Sequence, residues 1–153
     1  MAGLPAVGSI APDFTLLDQD RENWELSKHL QRGDVVLCFY PFAFTGVCGT
    51  EMKCITSEMA SWKAKGANVV GVSCDSMYAN KAWAQQEGFK HTLLSDLHRT
   101  VVRAYGVLWE DLHVSKRATV VIGAAIDGRG RVKFAEAREP GKAMAWDDVL
   151  AKL

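Results

Sequence analysis

A chain of 153 residues, 48% hydrophobic and 24% charged, is long enough to bury a stable core in one domain and ordinary in composition for a globular protein in water. Eighteen basic side chains balance eighteen acidic ones, which argues against a nucleic-acid footprint or a membrane-surface patch, and no apolar run is long enough for a membrane helix. The start, MAGLPAVGSIAPDF, has neither a charged lead nor a long apolar segment, so a cytoplasmic location is expected and the four cysteines read as thiols rather than a disulfide framework.

In chain order, FTLLDQDRENWEL from Phe14 to Leu26 predicts an N-terminal hairpin of two short extended segments about a polar centre. The run Val35 to Tyr40, short and rich in β-branched and aromatic residues, predicts a buried strand stopped by Pro41, with Cys38 in the core. Met52, Ile55, Met59 and Trp62 recur at helical spacing and predict a helix from about Gly46 to Lys65, with a core-facing stripe, ended by Gly66 and Asn68. Ala67 to Ser76 predicts a second buried strand with Cys74 at its end. Met77 to Glu87 reads as a helix stopped by Gly88, His91 to Leu94 as a short extended piece, Arg99 to Tyr105 as a helix ended by Gly106, and Leu108 to Arg117 as a polar loop. A third buried strand, ATVVIGAAID, follows Arg117. Asp127, Gly128 and Gly130 then turn the chain into a partner strand from Val132 to Ala137, and Ala143 to Leu153 closes as an amphipathic helix. Strands alternating with helices, uninterrupted by linker or repeat, predict one domain over residues 1–153, of the α/β class with a mixed sheet.

The chemistry concentrates in YPFAFTGVCGTE, Tyr40 to Glu51. Thr45 is a good N-cap, and a cap there puts Cys48 at the third helical position. First-turn N–H groups lack intrahelical partners and carry the positive end of the macrodipole, so a thiolate is stabilised at that place. Only the thiolate is a nucleophile, which makes Cys48 the candidate reactive thiol at the mouth of a helix. Glu51, one turn on, is a supporting residue that can pair with an arginine or favour the helix start. His113 falls in the polar loop and reads as a surface histidine.

Pro41, Thr45 and Cys48, spaced in this way between a strand and a helix, resemble the active-site signature of the peroxiredoxins. PFAFTGVC followed by Glu51 is closest to the one-cysteine alkyl hydroperoxide reductase E group within that family, and the similarity extends through APDFTLLDQD, LLSD, AYGV and the lone Arg117 before a late strand. The resemblance implies a thioredoxin-like fold, a central mixed sheet flanked by helices behind an N-terminal β-hairpin. It also implies a thiol-dependent peroxidase acting on hydrogen peroxide and organic hydroperoxides, with no cofactor and no metal. Its substrate pocket would be Cys48 as nucleophile, Thr45 offering a hydroxyl, Arg117 favouring the thiolate and orienting the peroxide, backbone N–H groups near Val47 and Cys48, and Pro41 shielding the sulfur from water. Attack leaves a sulfenic acid, to be reduced by an external thiol such as thioredoxin, mycoredoxin or a low-molecular-weight thiol. The family commonly dimerises beside this loop, so Phe42, Phe44 and Trp109 are expected at a homodimer contact or in the core.

Two features depart from that pattern. Cys54 stands six residues after Cys48, where a related group carries a resolving cysteine five residues on. Within an intact helix six residues rise about 9 Å, beyond the roughly 7 Å limit for a disulfide, so Cys54 could resolve the sulfenic acid only if the helix unwinds, and Cys74 is the second candidate for that role. The strand ATVVIGAAID is longer than the family pattern and is expected to hold a bulge at Gly123. Two other functions compete. A peroxide sensor on the same fold would use the same thiol and turn over poorly, whereas a zinc-binding module lacks the close Cys-x-x-Cys pairs such a site needs.

Overall fold

In the computed structural model, which describes residues 3–153, the segment after Phe14 folds as an antiparallel hairpin of β1 (Thr15–Asp18) and β2 (Asn23–Glu25). Its turn is held by Asp18, whose Oδ1 accepts the amides of Asp20 at 2.8 Å and Glu22 at 3.0 Å, the local bond that suits Asp to turns. A short helix the pattern did not predict, α1 (Leu26–Leu30), follows and buries Leu26 and Leu30. Five residues show too little periodicity to be read from sequence; tertiary burial makes this turn.

The strand β3 (Val35–Phe39) is buried along its whole length. Val35, Leu37 and Phe39 enter one apolar cluster while Val36, Cys38 and Tyr40 enter the other, because successive side chains leave opposite faces of a sheet. The chain then forms α2 (Gly46–Ser57) and α3 (Met59–Ala64), so the single helix expected to Lys65 is interrupted at Glu58, with φ −93° and ψ 11°. Side-chain bonds compete with the ladder there. Ser57 Oγ donates to the Cys54 carbonyl at 3.0 Å, and Thr56 Oγ1 lies 2.7 Å from His91 Nδ1 while accepting the Lys90 amide.

Next come β4 (Asn68–Ser73), α4 (Met77–Glu87), β5 (Leu93–Ser95) and α5 (Thr100–Ala104). As predicted, α4 ends at Gly88, whose φ of 74° an L side chain would resist. The segment predicted as a loop contains a small hairpin, β6 (Leu108–Trp109) and β7 (Val114–Ser115). Two-residue strands fall below any period that sequence could reveal.

The last strands are β8 (Arg117–Ile122) and β9 (Val132–Arg138), followed by α6 (Trp146–Leu150). Arg117 is thus the first residue of its strand, and the strand is shorter than ATVVIGAAID: the Ala124 amide turns to Asp34 Oδ1 at 2.8 Å and the Ala125 amide to the Leu30 carbonyl at 2.9 Å. The bulge lies earlier than Gly123. Val121 faces Phe134 and Ile122 faces Val132, leaving Lys133 as the extra residue on β9. The closing helix is likewise shorter than Ala143 to Leu153, starting after Ala145 and ending before Ala151.

These strands form one seven-stranded sheet in the order β2-β1-β5-β4-β3-β8-β9. β3 runs parallel to β4 and antiparallel to β8, which is the mixed sheet expected. Leucines of α1 and valines of α5 cover one face, and α2, α3, α4 and α6 cover the other. Gly71 on β4 makes this second packing possible, because a Cβ there would lie 2.9 Å from Met52 Sδ and 3.0 Å from the Tyr40 ring. The helix bearing Cys48 therefore sits directly on the sheet.

His91 stands buried between that helix and β5, its Nε2 3.2 Å from Met52 Sδ. Burial pushes its pKa down to about 3. The unfolded chain, near the ordinary 6.5, binds more protons than the folded one across that interval, so stability is complete above pH 6.5 and is lost as pH falls toward 3. Unfolding free energy should drop by about 2 kcal/mol between pH 7 and pH 5 on this account alone. Urea titrations at the two pH values check this: His91→Gln should remove most of that dependence.

Candidate functional site

Sequence distance is closed by sheet register. Ala118 pairs with Phe39, so Arg117 stands level with Tyr40, at the end of β3 from which the Pro41–Thr45 loop leads into α2. Residues two apart on a strand share a face. Arg117 therefore shares the face of Thr119 and of Val121, which packs in the cluster containing Cys48, Met52 and Ile55 of α2. The guanidinium reaches the helix, and its Nη2 lies 3.2 Å from Cys48 Sγ.

The same guanidinium is held on two other sides. Nη1 donates to Glu51 Oε1 at 2.5 Å and Nε to the Pro140 carbonyl at 2.8 Å. Arg138 pairs in register with Arg117 on the neighbouring strand and donates from Nη2 to Glu51 Oε2 at 2.8 Å and from Nη1 to Thr119 Oγ1 at 3.0 Å. Two cations directly opposite one another repel; Glu51 lies between them and makes the arrangement tolerable. The Met144 amide, two residues before α6 begins, also donates to Glu51 Oε2, at 2.8 Å. Burial opposes the charge of Arg117, but its hydrogen bond to the Cys48 sulfur and the nearby Glu51 carboxylate outweigh that cost and raise its pKa above the ordinary value.

Arg138, Pro140 and Met144 were missed in the sequence. The signal for Arg138 was its alternation with Phe134 and Glu136 on a strand whose register only the preceding turn sets. Pro140 and Met144 contribute backbone atoms, which side-chain identity cannot announce. Glu51 is 3% exposed and Arg117 is 4% exposed, so the carboxylate is a buried counter-ion to both guanidinia. Glu51→Ala is expected to lower stability by about 3–5 kcal/mol, because two buried positive charges lose their partner. Chemical unfolding would measure it, and a loss below about 1 kcal/mol would contradict the pairing.

The sequence placed Cys48 at the third position of its helix, and it is there: Thr45 is the N-cap, with φ −118° and ψ 157°. The Thr45 hydroxyl does not cap. It donates backward to the Phe42 carbonyl at 2.8 Å, and the loop turns through Phe44 at φ 64°. Pro41 is buried beneath this loop and Val47 is half-buried in the first helical turn. The mouth of the helix is covered rather than open, since Cys48 is 0% exposed. A molecule the size of water cannot touch the sulfur until a neighbour moves.

Phe42 and Phe44 are exposed at 38% and 51%, which removes the core alternative for both; Trp109 is half-buried. Cys54 is half-buried in the same unbroken α2, and burial first, then Glu58, Asp147 and Glu51, raises its thiol pKa. Cys74 lies just past β4 and burial pushes it up to about 11. Cys38 is in the core with Sγ 3.9 Å from Met144 Sδ. His113 is exposed in the β6–β7 turn. Among the described residues no three His, Cys, Asp or Glu side chains gather as a metal site, and no helix is long and apolar enough to cross a membrane.

Known proteins repeat this arrangement of chain. Residues 7–133 match the model of the AhpC/TSA family. Alkyl hydroperoxide reductase E of Mycobacterium tuberculosis is 36% identical over 152 residues, covering 96% of this chain and 97% of the relative. The chloroplastic 2-Cys peroxiredoxin BAS1 of Hordeum vulgare is 31% identical over 98% of this chain and 74% of its own length. Among solved structures, the peroxidoxin BcpB of Mycobacterium tuberculosis superposes with a TM-score of 0.83 at 31% identity, over 97% of this chain and 96% of the other. The reduced 2-Cys peroxiredoxin of Plasmodium vivax does so at 0.82 and 30% identity, over 95% and 92%. These structures carry the thioredoxin-like fold that the sequence led us to expect, and neither the sensor nor the zinc alternative is favoured by them. With a cysteine, a guanidinium and a helix start brought together on that fold, the chain belongs to the AhpC/TSA family and is a peroxiredoxin, a thiol-dependent peroxidase.

Proposed function

We propose that Cys48 is the sulfur that attacks peroxide, within a single domain spanning the chain. The observation that carries this reading is the 3.2 Å contact between Arg117 Nη2 and Cys48 Sγ at the third position of α2. A thiolate there meets a fixed positive charge and the unpartnered amides of the first turn, near Val47 and Cys48. In the reaction the sulfur bonds to the nearer peroxide oxygen as the O–O bond breaks. The farther oxygen leaves with the bonding pair as hydroxide or alkoxide and takes a proton to become water or alcohol. Negative charge moves from sulfur to the leaving oxygen, and Arg117, already in place, follows it without reorganisation. Thr45 supplies a hydroxyl that can leave the Phe42 carbonyl for a peroxide oxygen, and Pro41 excludes water without adding a donor. Glu51 and Arg138 hold Arg117 in position.

The product is a sulfenic acid on Cys48. An external thiol then condenses with it, forming a mixed disulfide and water, and a second thiol releases Cys48. Thioredoxin, mycoredoxin or a low-molecular-weight thiol can serve, and hydrogen peroxide and organic hydroperoxides both fit an attack that needs only an O–O bond. Cys54 enters only if α2 unwinds. A homodimer is proposed on the exposed Phe42 and Phe44, with Trp109 beside them, in a cytoplasmic protein.

Mass spectrometry after one equivalent of peroxide tests the chemistry. A sulfenic acid confined to Cys48, with peroxide consumed over many cycles once a thiol is supplied, is the expected outcome. A crosslink between Cys48 and Cys54 would replace external reduction by an internal partner, and oxidation at another cysteine would overturn the assignment of Cys48.

A further inference from the structure

We infer that Asp75 is a positioning residue, whose carboxylate fixes the Pro41–Thr45 loop at the start of the helix that carries Cys48 and so governs access to the sulfur; this rests on Cys48 being the reacting sulfur. Asp75 Oδ2 accepts the Ala43 amide at 2.9 Å. Among the described residues this is the hydrogen bond that ties the loop between Pro41 and Thr45 to a different element. The Thr45 hydroxyl bonds only back to Phe42 within the loop, and the Phe44 ring rests against Trp83 at 6.2 Å between centroids.

The loop needs such a hold. Phe44 is a bulky residue at φ 64°, a conformation that persists only where surroundings impose it. Released from Ala43, the backbone can relax toward an ordinary geometry, and the packing of Ala43 beside Cys48 and the first turn of α2 moves with it. The platform beneath the tether is stiff by comparison. Asp75 follows β4, whose end is pinned to the start of the loop where the Tyr40 amide donates to the Val72 carbonyl at 2.9 Å. Its own amide donates to Ser73 Oγ at 3.3 Å, and the next residue, Ser76, caps α4 by accepting the Ala79 amide at 3.1 Å. Just before the loop, Tyr40 is anchored by its hydroxyl to Asn80 Oδ1 at 2.8 Å. A rigid element on one side and a strained loop on the other, joined through a single carboxylate oxygen, make a latch.

Cys48 is fully covered and Ala43 packs against the cluster that contains it, so release of this latch loosens the packing beside the sulfur and exposes it. The test is the rate at which N-ethylmaleimide alkylates each cysteine of the full chain, read by mass spectrometry on the Cys48 and Cys38 peptides. With Asp75→Ala, Cys48 is expected to react about tenfold faster while Cys38, deep in the core, stays at the wild-type rate, a size of effect that fits loss of a bond to a charged acceptor. Asp75→Asn keeps an acceptor oxygen and should return most of the protection. Cys48 rates within twofold of wild type in Asp75→Ala, or Cys38 rising in parallel through general loosening, would overturn the proposal. Alkylation does not depend on peroxide turnover, so failure of the peroxidase reading would show separately, as a wild-type protein that consumes no peroxide.

Discussion

Peroxide reduction should disappear when Cys48 is replaced by serine, falling by about four orders of magnitude or more, because an un-ionised hydroxyl is a poor nucleophile and no second thiol accepts a bond from Arg117. The other three cysteines lack a comparable guanidinium contact: Cys38 is sealed in the core, and burial raises the thiol pKa of both Cys54 and Cys74. Serine accepts the Arg117 bond as sulfur does, so the fold should survive, though a hydroxyl in an apolar cluster costs about 1–3 kcal/mol. Stopped-flow reaction with hydrogen peroxide, alongside a melting curve, separates lost chemistry from lost structure. A folded variant that still consumes peroxide at the wild-type rate would end the case for Cys48.

The second large effect is expected at Arg117. Its three nitrogens serve three partners at once: Cys48 Sγ, Glu51 Oε1 and the Pro140 carbonyl. An ammonium cannot span that fork, so Arg117→Lys should retain charge but lose placement. Removing one preorganised donor to developing charge commonly slows a reaction by about 10²–10³-fold, and Arg117→Met is expected in that range, with lysine between it and wild type. The second-order rate constant with peroxide is the measurement. Rates for both variants within about threefold of wild type would show that the contact is structural.

The local parts of this site were readable because local physics makes them. A β-branched and aromatic run ended by proline specifies the end of β3, and the stripe of Met52, Ile55 and Trp62 specifies a helix lying on the sheet. The break at Glu58 was not readable, since it depends on Thr56 finding His91 from beyond the next strand. Nor were the bounds of the short α6, whose five residues hold too little of a period to set them. Helix α1 and the β6–β7 hairpin are too short for their patterns to differ from loop.

By itself the sequence determined that a thiol stands at the third position of a helix that follows a buried strand, because caps, proline and hydrophobic period act over a few residues. What surrounds that thiol was decided by tertiary structure. Antiparallel pairing of β8 with β3 sets Arg117 level with Tyr40, the next strand adds Arg138, and Glu51 accepts from both. Register is a property of two strands together, and the tether of the loop before α2 joins Ala43 to Asp75 across 32 positions of chain. Neither can be written in a short stretch of residues.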